Sequence, residues 1–224
     1  MEHAVIVDVE ATPTRISMEV DATETMIDRT QGRFGLKPER IAGDVAYGTG
    51  EMLGWLVEHD ITPHIPVWDR SEVAAAGKFA RADFAYDRDR NLYICPGGKE
   101  LKTSGTAHDG TTIKYIAKRS DCSGCPLKPQ CTTGRERRIS RDVNQEARDY
   151  TQSLMQTDAY WVSGTERKKI ERLFGEVKHI LGLTRLRLRG LTGARDEFLL
   201  AATIQNLKRL AKLAARPPPK PLPT

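Results

Sequence analysis

Two carboxylates and four sulfurs are the residues of this chain whose types and spacing could do chemistry. Asp44 ends an apolar, strand-like run in RIAGDVAYGTGE, and Glu171 lies far downstream in ERKKIERLFGEVKH. If the second stretch is helical over about residues 167–179, Arg167, Glu171 and Lys178 fall on one face, a carboxylate between two cations. Carboxylates from separate elements can hold two divalent ions roughly 4 Å apart, one activating the attacking oxygen of a phosphoryl transfer and one stabilising the leaving oxygen. Hard oxygen ligands with retained waters suit magnesium. Taken singly, each residue has a plainer reading: Asp44 as a polar strand end beside a turn, Glu171 as part of a solvated helix face.

The sulfurs are Cys95, Cys122, Cys125 and Cys131, in C-P-G-G and C-S-G-C-P-L-K-P-Q-C. Turns rich in Gly and Pro let such residues converge, and four thiolates suit a tetrahedral zinc ion. Disulfides are the less expected use in a chain without an export signal. A redox C-x-x-C would normally open a helix after a strand, and unused thiols in a loop-rich module are the plain alternative.

These groups need elements to position them. Residues 4–12 alternate as a strand, 19–34 carry helical spacing through Val20, Met26, Ile27 and Phe34, and Gly35 and Pro38 stop that helix. Residues 40–44 read as a second strand, Gly48-Thr49-Gly50 as a turn, 51–58 as a helix with Met52, Trp55 and Leu56 inward, and 61–67 as a third strand. Strand, helix, strand, helix, strand argues an α/β sheet. From residue 68 to about 141 the character changes to charged residues and short β-like runs such as 92–94 and 112–117, with turns at Gly97-Gly98 and Asp109-Gly110. Helices resume near Asp142. The Glu171 helix should bury Leu173, Phe174, Val177, Ile180 and Leu181, and a last helix over 192–214 should bury Phe198, Leu199, Ala202, Ile204, Leu207 and Leu210. The end, ARPPPKPLPT, reads as a disordered or extended tail.

The charge is uneven. Residues 165–224 hold 14 Lys and Arg against 5 Asp and Glu, whereas the rest of the chain is slightly acidic. A basic C-terminal quarter fits a polyanionic partner or a merely soluble helical surface. No stretch approaches the roughly 18 apolar residues of a membrane span, and residues 1–3 lead straight into AVIVDVEA rather than into a signal sequence. A soluble, cytoplasmic protein is expected.

Together, GDVAYGTGE, the cysteine-bearing insertion, the R-x3-E-x6-K pattern of Arg167, Glu171 and Lys178, and GLTRLRLRGLTGARDEF resemble the DDE transposases of bacterial insertion sequences. The resemblance runs from Ala4 to about Leu213. It implies a ribonuclease-H-like mixed sheet flanked by helices, with Asp44 as the second catalytic carboxylate and Glu171 as the third, both ligands of Mg2+. Arg167 and Lys178, with Arg185, Arg187 and Arg189 of the following run, would contact DNA phosphates.

Two departures stand out. Gly164 occupies a position where the family often has tyrosine, and the family's first catalytic aspartate lies upstream of the strand that residues 4–12 resemble. Asp8 is the only early acidic residue on a strand and is expected to be a surface or edge residue. The chain therefore resembles a transposase's C-terminal two-thirds, incomplete at the N-terminus. Residues 1–67 would be the first part of a truncated ribonuclease-H-like domain, 68–141 an inserted zinc-ribbon-like module, 142–215 the C-terminal helical part, and 216–224 the tail. The partners implied are DNA and, in the full-length form, a second copy. An inactive DNA-binding remnant and a zinc-ribbon nucleic-acid-binding protein are the alternatives; the latter leaves the carboxylates unexplained.

Overall fold

The computed structural model describes residues 4–13, 16–67, 77–106, 110–179 and 182–215. Helix α1 (Ile16–Phe34) buries Val20 and Ile27, one turn-pair apart on its inner face. It stops at Gly35, whose φ of 63° only glycine adopts without strain and whose N–H donates to Gln31 O. Strand β1 (Arg40–Ala42) and, after helix α2 (Gly50–Glu58), strand β2 (Thr62–His64) pair in parallel, Ala42 opposite His64. Thr49 caps α2 by accepting from Met52 N–H at 3.2 Å. Met52, Leu53 and Leu56 of α2 pack with Val20, Ile27, Ile61, Ile65 and Val67 in the first of two cores.

The second core belongs to a five-stranded antiparallel sheet in sequential order: β3 (Ala85–Asp87), β4 (Leu92–Ile94), β5 (Glu100–Thr106), β6 (Thr112–Ala117) and, after the short helices α3 (Arg119–Ser123) and α4 (Lys128–Cys131), β7 (Arg138–Asp142). Tyr86, Tyr93 and Tyr115 gather with ring centroids 5.0 Å and 5.1 Å apart along the series, the first pair tilted and the second edge-to-face. The buried Arg141 guanidinium lies 4.0 Å over Tyr86 and donates to Tyr93 Oη at 3.3 Å. Tyr115 Oη donates to Asn91 Oδ1 at 2.6 Å, and burial pushes its pKa well above the ordinary range.

Helix α5 (Gln145–Leu154) returns the chain to the first core through Ala147, and α6 (Asp158–His179) and α7 (Gly190–Ala214) complete the molecule. The whole is a mixed α/β, ribonuclease-H-like architecture with a cysteine-bearing β-rich insertion, as the sequence implies. No helix among the described residues is long and apolar enough to cross a membrane.

Several local expectations need correction. Residues 4–13 form no strand. Their backbone bonds to a side chain instead: Ile6 N–H donates to Asn206 Oδ1 at 2.9 Å, and Asn206 Nδ2 donates back to Ile6 O at 2.8 Å. Asp8, expected at an edge, is held with Glu10 by Arg29, both ion pairs at 2.7 Å. Helices resume at Gln145, just after Asp142 has ended β7. Phe34 is exposed, and Phe174 of the supposed inner stripe is 62% exposed. On α7 the buried positions are Gly193, Ala194, Ala201 and Gln205, while Leu199, Leu207 and Leu210 face outward. Gln205 faces inward to donate from its Nε2 to Leu173 O at 3.2 Å, and at Gly193 the turn before α7 comes so close that a Cβ would meet Leu188 Cβ at 2.6 Å. Ile180, Leu181, the Asp109 turn and the proline-rich tail lie outside the described residues.

Candidate functional site

Asp44 follows β1 after a single glycine and caps a 3-10 turn over Val45–Tyr47, its Oδ1 accepting from Ala46 N–H at 2.9 Å. One carboxylate oxygen thus fixes the turn, and the side chain is exposed at the strand's carboxyl end. Burial, followed by the negative charges of Glu19 and Asp44, pushes the pKa of the neighbouring Tyr47 hydroxyl up.

Glu171 stands on α6 with its carboxylate 3.4 Å from Arg167 Nη1, the one-turn spacing expected from the sequence. Both belong to an exposed face that also carries Lys178. Helix α6 is anchored to the parallel pair by two contacts. His64 Nδ1 is 2.7 Å from Ser163 Oγ, one of them donating, and Arg40 pairs with Glu166 at 3.7 Å. His64 lies opposite Ala42 at the end of β1, and Arg40 begins it, so α6 passes the strand in the opposite sense. Asp44 continues beyond one end of that contact and Glu171 beyond the other. Among the described residues the two carboxylates belong to no cluster of three or more His, Cys, Asp or Glu side chains.

The basic run is presented by a different device. Glu197 of α7 accepts from the N–H groups of Arg187 at 2.7 Å and Leu188 at 2.6 Å, pinning the backbone that leads into α7. With both amides engaged by one carboxylate, Arg185, Arg187 and Arg189 are left exposed, and their guanidinium groups take no partner among the described residues. Three unpaired cations on a fixed segment suit a row of phosphates.

The four cysteines converge. All line one cavity of about 30 Å³, and none is in a disulfide. A point 3.6 Å from Cys95 Sγ is 3.8 Å from Cys125 Sγ. Cys131 feels the charges of Cys122, Cys95 and Cys125, although burial is the larger reason its pKa is raised. Among the described residues no group of three or more His, Cys, Asp or Glu side chains is drawn into tight ion-holding geometry. The sulfurs share a space without having closed on one point. Their donor set still fits a soft or borderline ion: the cavity is of single-ion size, and Lys99 N–H already donates to Cys95 Sγ at 3.3 Å.

Two residues of this region escape a reading of the sequence. His64, in ITPHIP, gives no motif; only its burial against Ser163 shows that it locks α6 to the sheet. Arg137 sits in the charged run RERR and reads as surface, yet its Nε is buried.

A family model described as a transposase DDE domain matches residues 94–211, just over half of the chain. The match takes in the four cysteines, strands β5 to β7, α5, the Arg167–Glu171 pair and most of α7; Asp44, β3 and most of β4 lie outside it. No curated protein and no solved structure matches the chain.

Proposed function

Because the chain belongs to the transposase DDE-domain family, we propose that it acts on the DNA of a bacterial insertion sequence, as a polynucleotidyl transferase of DDE type. The observation that carries this reading is the continuity of the matched stretch. One unbroken match joins the four cysteines with β5 to β7, the Arg167–Glu171 helix and the basic run before α7. DNA phosphates are held by Arg167, Lys178, Arg185, Arg187 and Arg189, and a second copy of the chain is the expected protein partner. The cytoplasm is the compartment in which it meets that DNA.

Asp44 and Glu171 are the proposed ligands of magnesium, which would supply Lewis-acid assistance at the phosphate. Asp44 lies at the carboxyl end of β1, and Glu171 lies on α6, the helix that His64 and Arg40 hold against the parallel pair. The four cysteines are the proposed ligands of a structural zinc, which would tie β4, α3 and α4 together.

The test is strand cleavage of element-end DNA with Mg2+. Cleavage lost in both Asp44→Ala and Glu171→Ala supports the assignment; cleavage unchanged by either rejects it. The separation of the carboxylates favours a second reading, a DNA-binding protein without strand transfer. Salt-sensitive binding with no Mg2+-dependent cleavage in the native chain would select it.

A further inference from the structure

Arg137 has an unusual set of partners for a cation. Its Nη1 donates to Cys131 O at 2.8 Å, its Nη2 donates to Phe79 O at 3.1 Å, and its guanidinium lies 4.9 Å over the Phe84 ring. No carboxylate among the described residues pairs with it. Its Nε–H is buried with no acceptor, and it is the one such side-chain atom among the described residues. The same side chain forms part of the wall of the cavity that holds the four sulfurs. A buried donor without an acceptor is costly unless a ligand supplies one.

The charges around the cavity point the same way. Its walls carry Lys99, Lys128 and Arg137 against the single carboxylate of Asp121. A divalent ion bound by four thiolates carries a net charge of −2, so the cationic excess of the walls matches a loaded centre and opposes nothing in an empty one. Four neutral thiols would give those cations no counter-charge.

We propose that Arg137 is the outer-sphere partner of a tetrathiolate zinc centre formed by Cys95, Cys122, Cys125 and Cys131, its Nε–H donating to the Cys131 sulfur. Cys131 is the recipient because Arg137 already grips that residue's carbonyl. On loading, each thiol gives its proton to solvent and its sulfur to the ion. The guanidinium then offsets part of the negative charge and links the Cys131 turn to Phe79. The inference rests on the zinc reading given above and adds to it a residue that holds no metal itself.

The experiment uses the full chain, purified reduced. Zinc affinity is measured by competition with a chelator, the cobalt-substituted protein is examined for thiolate-to-cobalt charge transfer, and Arg137 Hε is observed in protein loaded with spin-active cadmium. Arg137→Met should weaken zinc about 10- to 100-fold, the usual effect of removing an outer-sphere partner, and shift the charge-transfer band. Arg137→Lys, which keeps the charge, should recover part of the affinity. Scalar coupling between cadmium and Arg137 Hε in the native protein supports the bond directly and needs no variant to fold. If the native chain binds no zinc, or binds it equally after Cys122→Ser, the zinc reading and this inference fall together. If the native chain binds zinc through its thiols but Arg137→Met matches it in affinity and spectrum and no coupling is seen, this inference alone is overturned.

Discussion

Gly50, at the start of α2, and Asp142, at the end of β7, touch so closely that a Cβ on Gly50 would lie 2.6 Å from the Asp142 Cγ. This contact fastens the five-stranded sheet to the core built on the parallel strands. The carboxylate sits at the positive end of α2, where unpaired N–H groups and the helix dipole favour an anion, and its Oδ1 also accepts from Asn144 N–H at 2.9 Å. One turn further along α2, a Cβ on Gly54 would meet Asn144 at 2.8 Å. The small face of α2 is therefore a seat for the β7 to α5 turn.

Gly50→Ala is expected to destabilise the protein by about 1–3 kcal/mol, the usual cost of overpacking a close contact. Adding Asp142→Ala should recover part of that loss, giving a favourable coupling in a double-mutant cycle. Urea unfolding measures both. Additive effects would show that the two side chains do not share this space.

Stability should fall on mild acidification because of His64. Burial, and after it the positive charge of Arg40, hold its imidazole pKa below the ordinary value near 6.5. The folded state therefore binds fewer protons than the unfolded chain. The stabilisation is complete above the unfolded pKa, about 6.5, and is lost as pH falls from there through the lowered folded pKa. His64→Gln should flatten the denaturation midpoint between pH 7.5 and 5.5, taken as roughly one unit either side of that unfolded value. An unchanged slope would exonerate His64.

Arg29 is the tether of residues 4–13 through Asp8 and Glu10. Its hydrogen bond to Glu10 is the leading cause of that carboxyl's lowered pKa. Arg29→Ala removes the cation that two half-buried carboxylates share and should cost about 1.5–3 kcal/mol, the range for bonds to charged groups. Hydrogen exchange at Ile6 N–H, which is held by Asn206, should quicken with it. Unaltered protection there would place the tether elsewhere.

DNA binding through the basic run should be a matter of counterion release. Each phosphate neutralised contributes about 0.9 to the slope of log affinity against log salt on duplex DNA. Replacing Arg185, Arg187 and Arg189 together with alanine should make the slope shallower by that amount for every phosphate the three arginines neutralise. Glu197→Gln, which weakens the clamp on Arg187 and Leu188, should reduce affinity with less change in slope. Equal slopes in the native and triple-variant chains would move the interface off this segment.

Much of the fold could be read from the residues in order. Gly35 and the Gly48-Thr49-Gly50 turn mark real helix boundaries, and strands 92–94 and 112–117 lie where their composition puts them, because turn chemistry and short-range patterning act within a few residues. The one-turn pairing of Arg167 with Glu171 and the two-spaced Cys122 and Cys125 are local for the same reason. What the linear order could not decide was everything set by partners distant in the chain. Residues 4–13 have strand composition, but a ladder needs a neighbouring strand; Asn206, 200 positions from Ile6, takes those backbone groups instead. Leu207 and Leu210 have the spacing of a core stripe, yet Gln205 donates to Leu173 O and Asn206 to Ile6 O, so that the face carrying these amides is held and the leucines stay exposed. Likewise, Asp44 and Glu171 each fall on the expected element, while the sense in which α6 crosses β1 is set by the contacts of His64 with Ser163 and of Arg40 with Glu166. Arg137 looks like surface charge until the tertiary packing buries its Nε and sets the residue in the wall of the cavity that the four cysteines line. Local sterics fix elements; only packing fixes which faces and ends of those elements meet.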